Sequence, residues 1–277
     1  MKNYHYIVVL FLSLTVLSCS DAVVVYSPIA VDDSVDADPI SGLFKKQVLI
    51  EDYTGTWCGN CARVAYAIEK TKEQSDRVVS VAIHNGNDPY NFEDIGPLQN
   101  LISPNSELAL PQSRLNRTTT WTFPEVNNVQ QVLNLTSNNC GLGLALDSEV
   151  SASNINLNVN VKFAQNYSNL RLVVYVLENH LIYRQTNYSN FYGGVNPIPA
   201  FEHNHVLRAS LTNLLGDALQ NTNYNQTVTT NFSIPIPSNV SNAENISFVA
   251  FVVEENNNVL NVRAAETNEN QTFQENP

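Results

Sequence analysis

The stretch that decides the fold of this 277-residue chain covers residues 48–61 and reads Val48-Leu49-Ile50-Glu51-Asp52-Tyr53-Thr54-Gly55-Thr56-Trp57-Cys58-Gly59-Asn60-Cys61. Its first half is a short, mostly apolar run, which predicts a buried strand that ends at a turn. Alanine-rich sequence from Cys61 onward predicts a helix with one apolar face. A second apolar run at residues 78–83 follows a polar break. Strand, helix and strand in this order predict a βαβ unit with parallel strands.

Two cysteines separated by two residues lie at the predicted turn between the strand and the helix. A cysteine at a helix N-terminus is favoured as the thiolate, so Cys58 is the candidate nucleophile. Cys61 would attack a mixed disulfide at Cys58 and release the product. The alternative is half of a zinc site, completed by two ligands from Cys140, His84, His180, His203 or His205. The pattern favours the redox pair, and we expect no cofactor and no metal.

Two further residues next to the pair are predicted to serve it. Trp57 directly precedes Cys58. Asp52 ends the buried strand, where burial would raise the pKa of its carboxyl and allow it to relay a proton for Cys61. Glu51 competes for that role, and a strand-end carboxylate that reaches solvent is the alternative for Asp52.

Pro111 is the last candidate site residue, and it begins a predicted strand at residues 112–116. A cis bond from Leu110 would open a backbone edge beside Cys58 for an extended substrate. An ordinary trans proline at a strand start is the alternative.

The pattern changes after Cys140, where apolar residues begin to alternate with polar ones. Such alternation predicts a half-buried antiparallel strand, and it is formed by Ile155, Leu157, Val159, Val161 and Phe163. Further short apolar runs occupy residues 170–177, 181–188, 206–211, 228–234, 246–253 and 259–265. We therefore expect an α/β domain over residues 44–138, followed by an all-β, immunoglobulin-like sandwich domain over residues 139–277.

The N-terminus has the features of an export signal. Lys2 precedes an apolar run at residues 7–17, which is too short to span a bilayer but suits a signal peptide. The run ends in Val16-Leu17-Ser18-Cys19, which resembles the bacterial lipobox. We expect residues 1–18 to be a signal peptide, Cys19 to carry a lipid, and residues 19–43 to form a tether. A signal peptide followed by a chance cysteine is the alternative.

The net charge and the cysteine content limit which kinds of molecule the protein is expected to bind. Asp and Glu number 26 against 14 Lys and Arg, a net charge of -12, which repels a phosphate backbone. We therefore expect no nucleic acid, attachment to a membrane through the lipid on Cys19, and envelope protein thiols or disulfides as partners. Of the remaining cysteines, Cys58 and Cys61 form the close pair, and Cys140 is predicted to be a buried free thiol, with an intermolecular disulfide as the alternative.

The motif Trp57-Cys58-Gly59-Asn60-Cys61, together with Leu110-Pro111, resembles the thioredoxin superfamily. This resemblance implies a thioredoxin-like fold for residues 44–138 and thiol-disulfide oxidoreductase activity. Asn60 stands where thioredoxin itself has proline. Because the intervening dipeptide tunes the redox poise, the roles of oxidant, reductant and isomerase all stay open.

The layout as a whole resembles the outer membrane protein 28 family of Bacteroidetes lipoproteins. The resemblance rests on the lipobox, on residues 51–61, on Leu115-Asn116-Arg117 and on His203-Asn204-His205-Val206-Leu207-Arg208. It implies an outer-membrane location, facing either the periplasm or the cell surface. His203 and His205 would suit a metal, but hydrogen bonding on a sheet surface or between domains is favoured.

Two functions follow from this sequence. The first is a membrane-anchored extracytoplasmic thiol-disulfide oxidoreductase that uses the Cys-Gly-Asn-Cys pair. The alternative is an outer-membrane or surface lipoprotein that acts as a binding or adhesion module, with the thioredoxin fold as scaffold.

Overall fold

The structure is a computed structural model that describes residues 29–30 and 42–276. The predicted signal peptide, Cys19 and most of the predicted tether lie outside the described residues. Within the described part of the chain, no helix has the length and apolar character needed to cross a membrane.

Among the described residues, α-helices are confined to the first half of the chain, and strands occur throughout. The elements up to residue 135 are β1 (Ile29–Ala30), β2 (Leu43–Lys45), β3 (Val48–Thr54), α1 (Ala62–Lys72), β4 (Val78–His84), α2 (Gly96–Ile102), β5 (Gln112–Leu115), β6 (Thr119–Thr120) and α3 (Val129–Leu135). The elements that follow are β7 (Asn139–Cys140), β8 (Leu142–Val150), β9 (Asn154–Phe163), β10 (Arg171–Glu178), β11 (Leu181–Gln185), β12 (Ile198–His203), β13 (Val206–Ser210), β14 (Asp217–Ala218), β15 (Thr227–Pro235), β16 (Ile246–Val253), β17 (Val259–Glu266) and β18 (Glu275–Asn276).

Strand β3 and helix α1 form the predicted βαβ unit. β3 pairs with β4 in parallel, with Asp52 opposite Ala82, and α1 makes the connection between them. On its other edge β3 pairs with β5 in the antiparallel direction, with Asp52 opposite Ser113. The motif after β3 therefore lies at one end of a three-stranded arrangement that has β3 in its centre.

The sheet that contains β3 extends far into the second half of the chain. Its nine strands include the path β17-β16-β10-β13-β4-β3-β5-β6, with β14 paired to β10. The link between the halves is the parallel bridge of Val206 in β13 to Ala82 in β4. Strands from both sides of the boundary predicted at residues 138 and 139 thus share one sheet, and the division into two domains stays a prediction.

A second sheet covers one face of this large sheet. Its order is β1-β15-β9-β8, and its apolar side chains pack against those of β10 and β16. The alternation predicted for β9 is confirmed, since its inward side chains are completely buried: Ile155, Leu157, Val159, Val161 and Phe163. The structure is therefore mostly β, with several sheets and two of them packed face to face. Two small sheets, β11-β12 and β18-β2-β7, complete it.

Strand β3 is buried on both of its faces. Because side chains alternate along a strand, Val48 and Ile50 point to one face, where they pack with residues of α1 and α3. Leu49 and Tyr53 point to the other face and join a core with residues of β10, β16 and β17. Both faces of β3 thus lie inside the protein.

The face of β3 that carries Glu51 holds a buried ion pair. Arg117 lies in the turn after β5 and donates from Nη2 to Glu51 Oε1 at 2.9 Å, with both side chains fully buried. The same nitrogen donates to the Tyr175 hydroxyl of β10 at 2.8 Å, and the guanidinium lies over the Phe251 ring of β16 at 4.7 Å. Four segments that are distant in the sequence therefore meet at one guanidinium.

We expect Arg117→Met to lower the free energy of unfolding by about 3–5 kcal/mol, because it leaves the Glu51 carboxylate buried without a counter-charge. Urea unfolding of Arg117→Met, of Glu51→Gln and of the double variant would measure the coupling between the two residues. The double variant should be more stable than the sum of the single losses predicts, by about 1 kcal/mol or more. Additive losses would contradict a coupled pair.

Candidate functional site

The two motif cysteines are joined to each other. Cys58 and Cys61 form a disulfide with a Cα–Cα distance of 5.4 Å. Helix α1 begins at Ala62 with Cys61 as its N-cap residue, and Cys58 lies in the preceding turn, where its N–H donates to the Gly55 carbonyl at 3.0 Å. Cys58 is 5% exposed and Cys61 is 1% exposed. Within residues 42–276, no group of three or more His, Cys, Asp or Glu is arranged to hold a metal ion.

Trp57 lies on the surface beside the disulfide. It is half exposed, and its Nε1 donates to the Asn85 carbonyl at 2.8 Å. A side chain at Gly55 would begin 2.9 Å from Trp57 Nε1, so the close approach of the ring requires glycine there. The indole is thus fixed across the turn and leaves one face open to solvent.

Asp52 lies on the face of β3 that points toward α1. Its side chain is 3% exposed, and it lines the same cavity as Cys61. Burial raises the pKa of Asp52 to about 8, Glu125 raises it further, and Arg63 acts in the opposite direction. A carboxyl with this pKa exchanges protons near neutral pH, which is the property needed for the predicted relay.

Glu51, the competitor for the relay role, points to the opposite face of β3. It is paired with Arg117 and accepts a hydrogen bond from the Tyr53 hydroxyl at 3.3 Å. Glu51 therefore belongs to the ion pair of the core and not to the side of the sheet on which the cysteines lie.

Pro111 directly precedes β5, and the Leu110–Pro111 peptide bond is cis. Gln112 pairs with Tyr53, close to the end of β3 from which the motif follows. The register therefore puts Pro111 at the motif end of β3.

The turn before the cysteines is held by Asp88. Its carboxylate accepts hydrogen bonds from the Thr56 N–H at 2.5 Å and the Tyr90 N–H at 2.8 Å, and it pairs with His84 Nδ1 at 3.1 Å. Burial pushes the pKa of Asp88 upward, but the bonds from His84 and the two N–H groups outweigh burial and lower the pKa. Asp88 therefore remains an anion that fixes the approach of the chain to Trp57.

A segment that the sequence does not identify pairs with the turn that holds the disulfide. We call residues 185–192 the cover segment. The Thr186 N–H donates to the Thr56 carbonyl at 2.9 Å, and the Tyr188 N–H donates to the Gly59 carbonyl at 2.7 Å. The Tyr188 ring lies directly on Gly59 and leaves no room for a side chain there. The backbone of the motif is thus partly paired with another part of the chain.

The cover segment is also attached to helix α1. Phe191 stacks on Tyr66 with ring centroids 4.3 Å apart, and the Tyr192 hydroxyl donates to Glu69 at 2.7 Å. The cover segment is therefore held both by α1 and by the motif.

A cavity of about 140 Å³ with a mixed polar and apolar lining lies beside Cys61. Its walls come from β3, β4, α1 and the chain around β12, and its polar lining includes Asp52, Cys61, Ser80, Lys72, His203 and His205. His203 and His205 therefore lie near the cysteine pair, in agreement with hydrogen bonding between regions. Among the described residues, Cys140 is a free and buried thiol, as predicted, and burial raises its pKa.

Sequence reasoning missed the cover segment and the cavity. It predicts a strand over residues 181–188, whereas β11 ends at Gln185, and it does not identify β12 at Ile198–His203. One sequence signal lies in this region, the segment from His203 to Arg208, whose two histidines are predicted to make hydrogen bonds on a sheet surface or between domains.

Comparison with known proteins identifies the family. The model of the family "Outer membrane protein Omp28" matches residues 105–271, more than half of the chain. The fold and the match together define a β-rich protein of the cell envelope. The chain belongs to the Omp28 family of outer membrane proteins, and its location is the outer membrane or the cell envelope.

Among solved structures, the chain is similar to HBP35 of Porphyromonas gingivalis. The TM-score is 0.63 at 18% sequence identity, over 83% of this chain and 78% of that chain, which indicates a shared fold. A β-glucosidase from Kluyveromyces marxianus aligns over 48% of this chain with a TM-score of 0.21, which is too low to carry an argument. No curated protein sequence matches the chain.

We expect Asp52→Asn to change how stability depends on pH. An unfolded aspartate has a pKa near 3.9, whereas burial raises that of Asp52 to about 8. Between about pH 3.9 and about pH 8 the folded chain therefore keeps a proton on Asp52 that the unfolded chain releases. As a result, the free energy of unfolding of the wild type falls as the pH rises through this window. Relative to the wild type, Asp52→Asn should gain up to about 1.4 kcal/mol per pH unit in this window. Urea unfolding at pH 5 and pH 8 tests it, with exposed Asp76→Asn as the control, and an equal effect at both pH values would contradict it.

We expect Tyr188→Ala to open the disulfide to reductants. The substitution removes the ring from Gly59 but keeps the backbone N–H that pairs with the Gly59 carbonyl. The loss of about 1 kcal/mol of apolar contact should raise the rate of reduction by dithiothreitol about fivefold. Tyr224, another exposed tyrosine, supplies the control variant Tyr224→Ala. Equal rates for the wild type and Tyr188→Ala would show that the ring does not limit access.

Proposed function

We propose that this protein is a thiol-disulfide oxidoreductase of the cell envelope and that residues 44–138 have a thioredoxin-like fold. The observation that carries the proposal is the Cys58–Cys61 disulfide at the turn between β3 and α1, beside the buried carboxyl of Asp52. Burial raises the pKa of Asp52 to about 8, so this carboxyl suits proton exchange with Cys61 near neutral pH. The order of β3, the motif, α1, the parallel β4 and the antiparallel β5 supports the fold.

The reaction begins from the reduced pair. The Cys58 thiolate attacks a disulfide of a partner protein, forms a mixed disulfide and releases one partner thiol. Cys61 then gives its proton to the Asp52 carboxylate and attacks the Cys58 sulfur. The new bond is the Cys58–Cys61 disulfide, the mixed disulfide breaks, and the second partner sulfur leaves as a thiolate that takes a proton from solvent. The reverse sequence transfers the disulfide to a partner dithiol.

The order of the two cysteines follows from their burial. Cys58 is the more exposed of the two and lies in the turn that the cover segment pairs with, whereas Cys61 lines the cavity with Asp52. A partner therefore reaches Cys58 when the cover segment moves aside, and Cys61 resolves the intermediate from within.

The remaining parts of the proposal concern attachment and partners. We propose a lipid on Cys19 as the membrane anchor, residues 19–43 as the tether, and an immunoglobulin-like sandwich in residues 139–277. The two sheets that pack face to face in that region support the sandwich. The partners are thiols or disulfides of other envelope proteins.

We expect the reduced full-length protein to reduce insulin disulfides, and Cys58→Ser to lower the rate by about a hundredfold or more because the nucleophile is lost. Cys61→Ser should accumulate a mixed disulfide between Cys58 and an insulin chain, visible by mass spectrometry. Cys140→Ser is the matched control, since this buried thiol lies away from the pair, and it should keep the wild-type rate.

Two outcomes would count against oxidoreductase activity. One is a wild-type protein that is inert both in insulin reduction and in oxidation of a model dithiol. The other is a Cys61→Ser variant that reacts without forming the Cys58 mixed disulfide.

A binding module is the second candidate, and a specific observation favours it. Large apolar side chains are exposed on the motif, on the β11–β12 hairpin and in the loop between these strands, namely Trp57, Ile182, Tyr183, Tyr188 and Val195. A surface of this kind is typical of protein contact sites. This function would gain if the Cys58→Ser/Cys61→Ser double variant kept the full cellular phenotype, and it would fail if deletion of residues from 140 onward left that phenotype intact.

A further inference from the structure

Three polar side chains in the cavity behind Cys61 point to a shared function. Asp52 Oδ1, Ser80 Oγ and His203 Nε2 are buried, and none of them has a hydrogen-bond partner among the described residues. All three residues line the same cavity of about 140 Å³. Leaving a buried polar atom without a partner costs about 1–3 kcal/mol, so three such atoms around one cavity need a common partner.

Water is the partner that fits this cavity. A purely apolar cavity of similar volume stays dry, but this one carries unpartnered polar atoms of Asp52, Ser80 and His203 in its lining residues, and its volume is large enough for several water molecules. The side chains of Ala62, Ala65 and Ala82 line the cavity and leave the space open. The exposed residue Glu202 also lines it, so the cavity reaches the protein surface.

The protonation state of His203 allows its ring to accept a hydrogen bond from water in the cavity. Burial lowers the pKa of His203 to about 4, and the neighbouring His84 lowers it further, so the ring is neutral at pH 7. A hydrogen bond with the Tyr183 backbone favours the protonated ring, so the ring donates to that backbone. Since Nε2 has no protein partner, Nδ1 makes that bond and Nε2 is the acceptor in the neutral ring.

Lys72 and His205 lie at the half-buried part of the cavity wall. Lys72 Nζ lies 2.8 Å from His205 Nε2, to which it donates. Burial lowers the pKa of Lys72 to about 8 and that of His205 to about 3. This pair therefore supplies a hydrogen-bond donor to the cavity that Asp52 also lines.

Asp52 depends on the cavity for every proton it exchanges. Its side chain is 3% exposed, and before it can accept the Cys61 proton it has to release its own proton to solvent. We propose that His203 is a positioning residue for the redox pair, which holds in the cavity the water through which Asp52 exchanges protons with solvent. This inference rests on the oxidoreductase function proposed above. It adds that a residue of the family-matched region sets the protonation of Asp52.

Single-turnover oxidation by glutathione disulfide tests this role. The reduced full-length protein is mixed with glutathione disulfide, quenched with acid and analysed by mass spectrometry. The first step forms the Cys58–glutathione adduct, and the second step converts it to the Cys58–Cys61 disulfide, which has a different mass. In His203→Phe an apolar ring should displace the water and keep Asp52 protonated to higher pH. The second step should then slow about tenfold or more at pH 6.5 and less than about twofold at pH 9.5, which lies well above the pKa of about 8 of Asp52. Formation of the adduct should be unchanged.

Control variants separate this role from packing. His203→Gln keeps a polar group in the cavity and should retain most of the second-step rate at pH 6.5. His180→Phe alters an exposed histidine outside the cavity lining and should behave as the wild type. If His203→Phe does not fold, Ser80→Val removes another water-binding group within strand β4 and should produce the same pH-dependent slowing.

Several other charged groups lie near Asp52 and His203 and contribute to the pH dependence of the second step. Those that face Asp52, His203 or the cavity wall are Arg63, Glu69, Lys72, His84, Asp88, Glu125, Glu202 and His205. An unchanged second step in His203→Phe and Ser80→Val, or equal slowing at pH 6.5 and pH 9.5, would overturn the role of His203. A wild-type protein that forms no glutathione adduct at Cys58 would instead overturn the oxidoreductase function, and this inference with it.

Discussion

Burial of strand β3 on both faces is the constraint on which the rest of the structure depends. Two consecutive carboxyl groups, Glu51 and Asp52, point to opposite sides of one buried strand. A buried carboxylate requires a counter-charge or a proton. Glu51 takes the first solution through Arg117, which also binds Tyr175 and so ties β3 to β10. Asp52 instead keeps its proton, because burial raises its pKa to about 8.

Much of this arrangement is predictable from local sequence. The apolar run with two carboxylates, the turn and the alanine-rich helix give β3, the motif and α1, because each signal lies within a few residues of the element it forms. The even spacing of Ile155 to Phe163 gives β9 for the same reason. Strand alternation puts Glu51 and Asp52 on opposite faces, but only the packing of α1 against Val48 and Ile50 shows that Asp52 lies on the face toward the helix.

The parts that sequence reasoning missed depend on contacts between distant segments. The bridge of Val206 to Ala82 joins the two halves in one sheet, and no local pattern encodes a single parallel bridge. The cover segment carries no periodic signal because it is held by backbone hydrogen bonds to Thr56 and Gly59, which any residue except proline could donate. The partnerless nitrogen of His203 is likewise visible only when β3, β4, α1 and β12 are assembled.

The region that the family model matches contains both the segment that pairs with the motif and a residue that lines the cavity beside Cys61. The matched region begins at residue 105, after Cys58 and Cys61, yet it contains both the cover segment and His203. These features belong to one continuous piece of chain, because β11 ends at Gln185, the cover segment follows, and β12 ends at His203. One end of this piece is hydrogen-bonded to the backbone of the motif on either side of Cys58, and the other end lines the cavity that Cys61 shares with Asp52. In the proposed oxidoreductase cycle, a movement that uncovers Cys58 acts on the same hairpin that lines the cavity, so that access to the first sulfur and proton exchange at the second are linked through a single element.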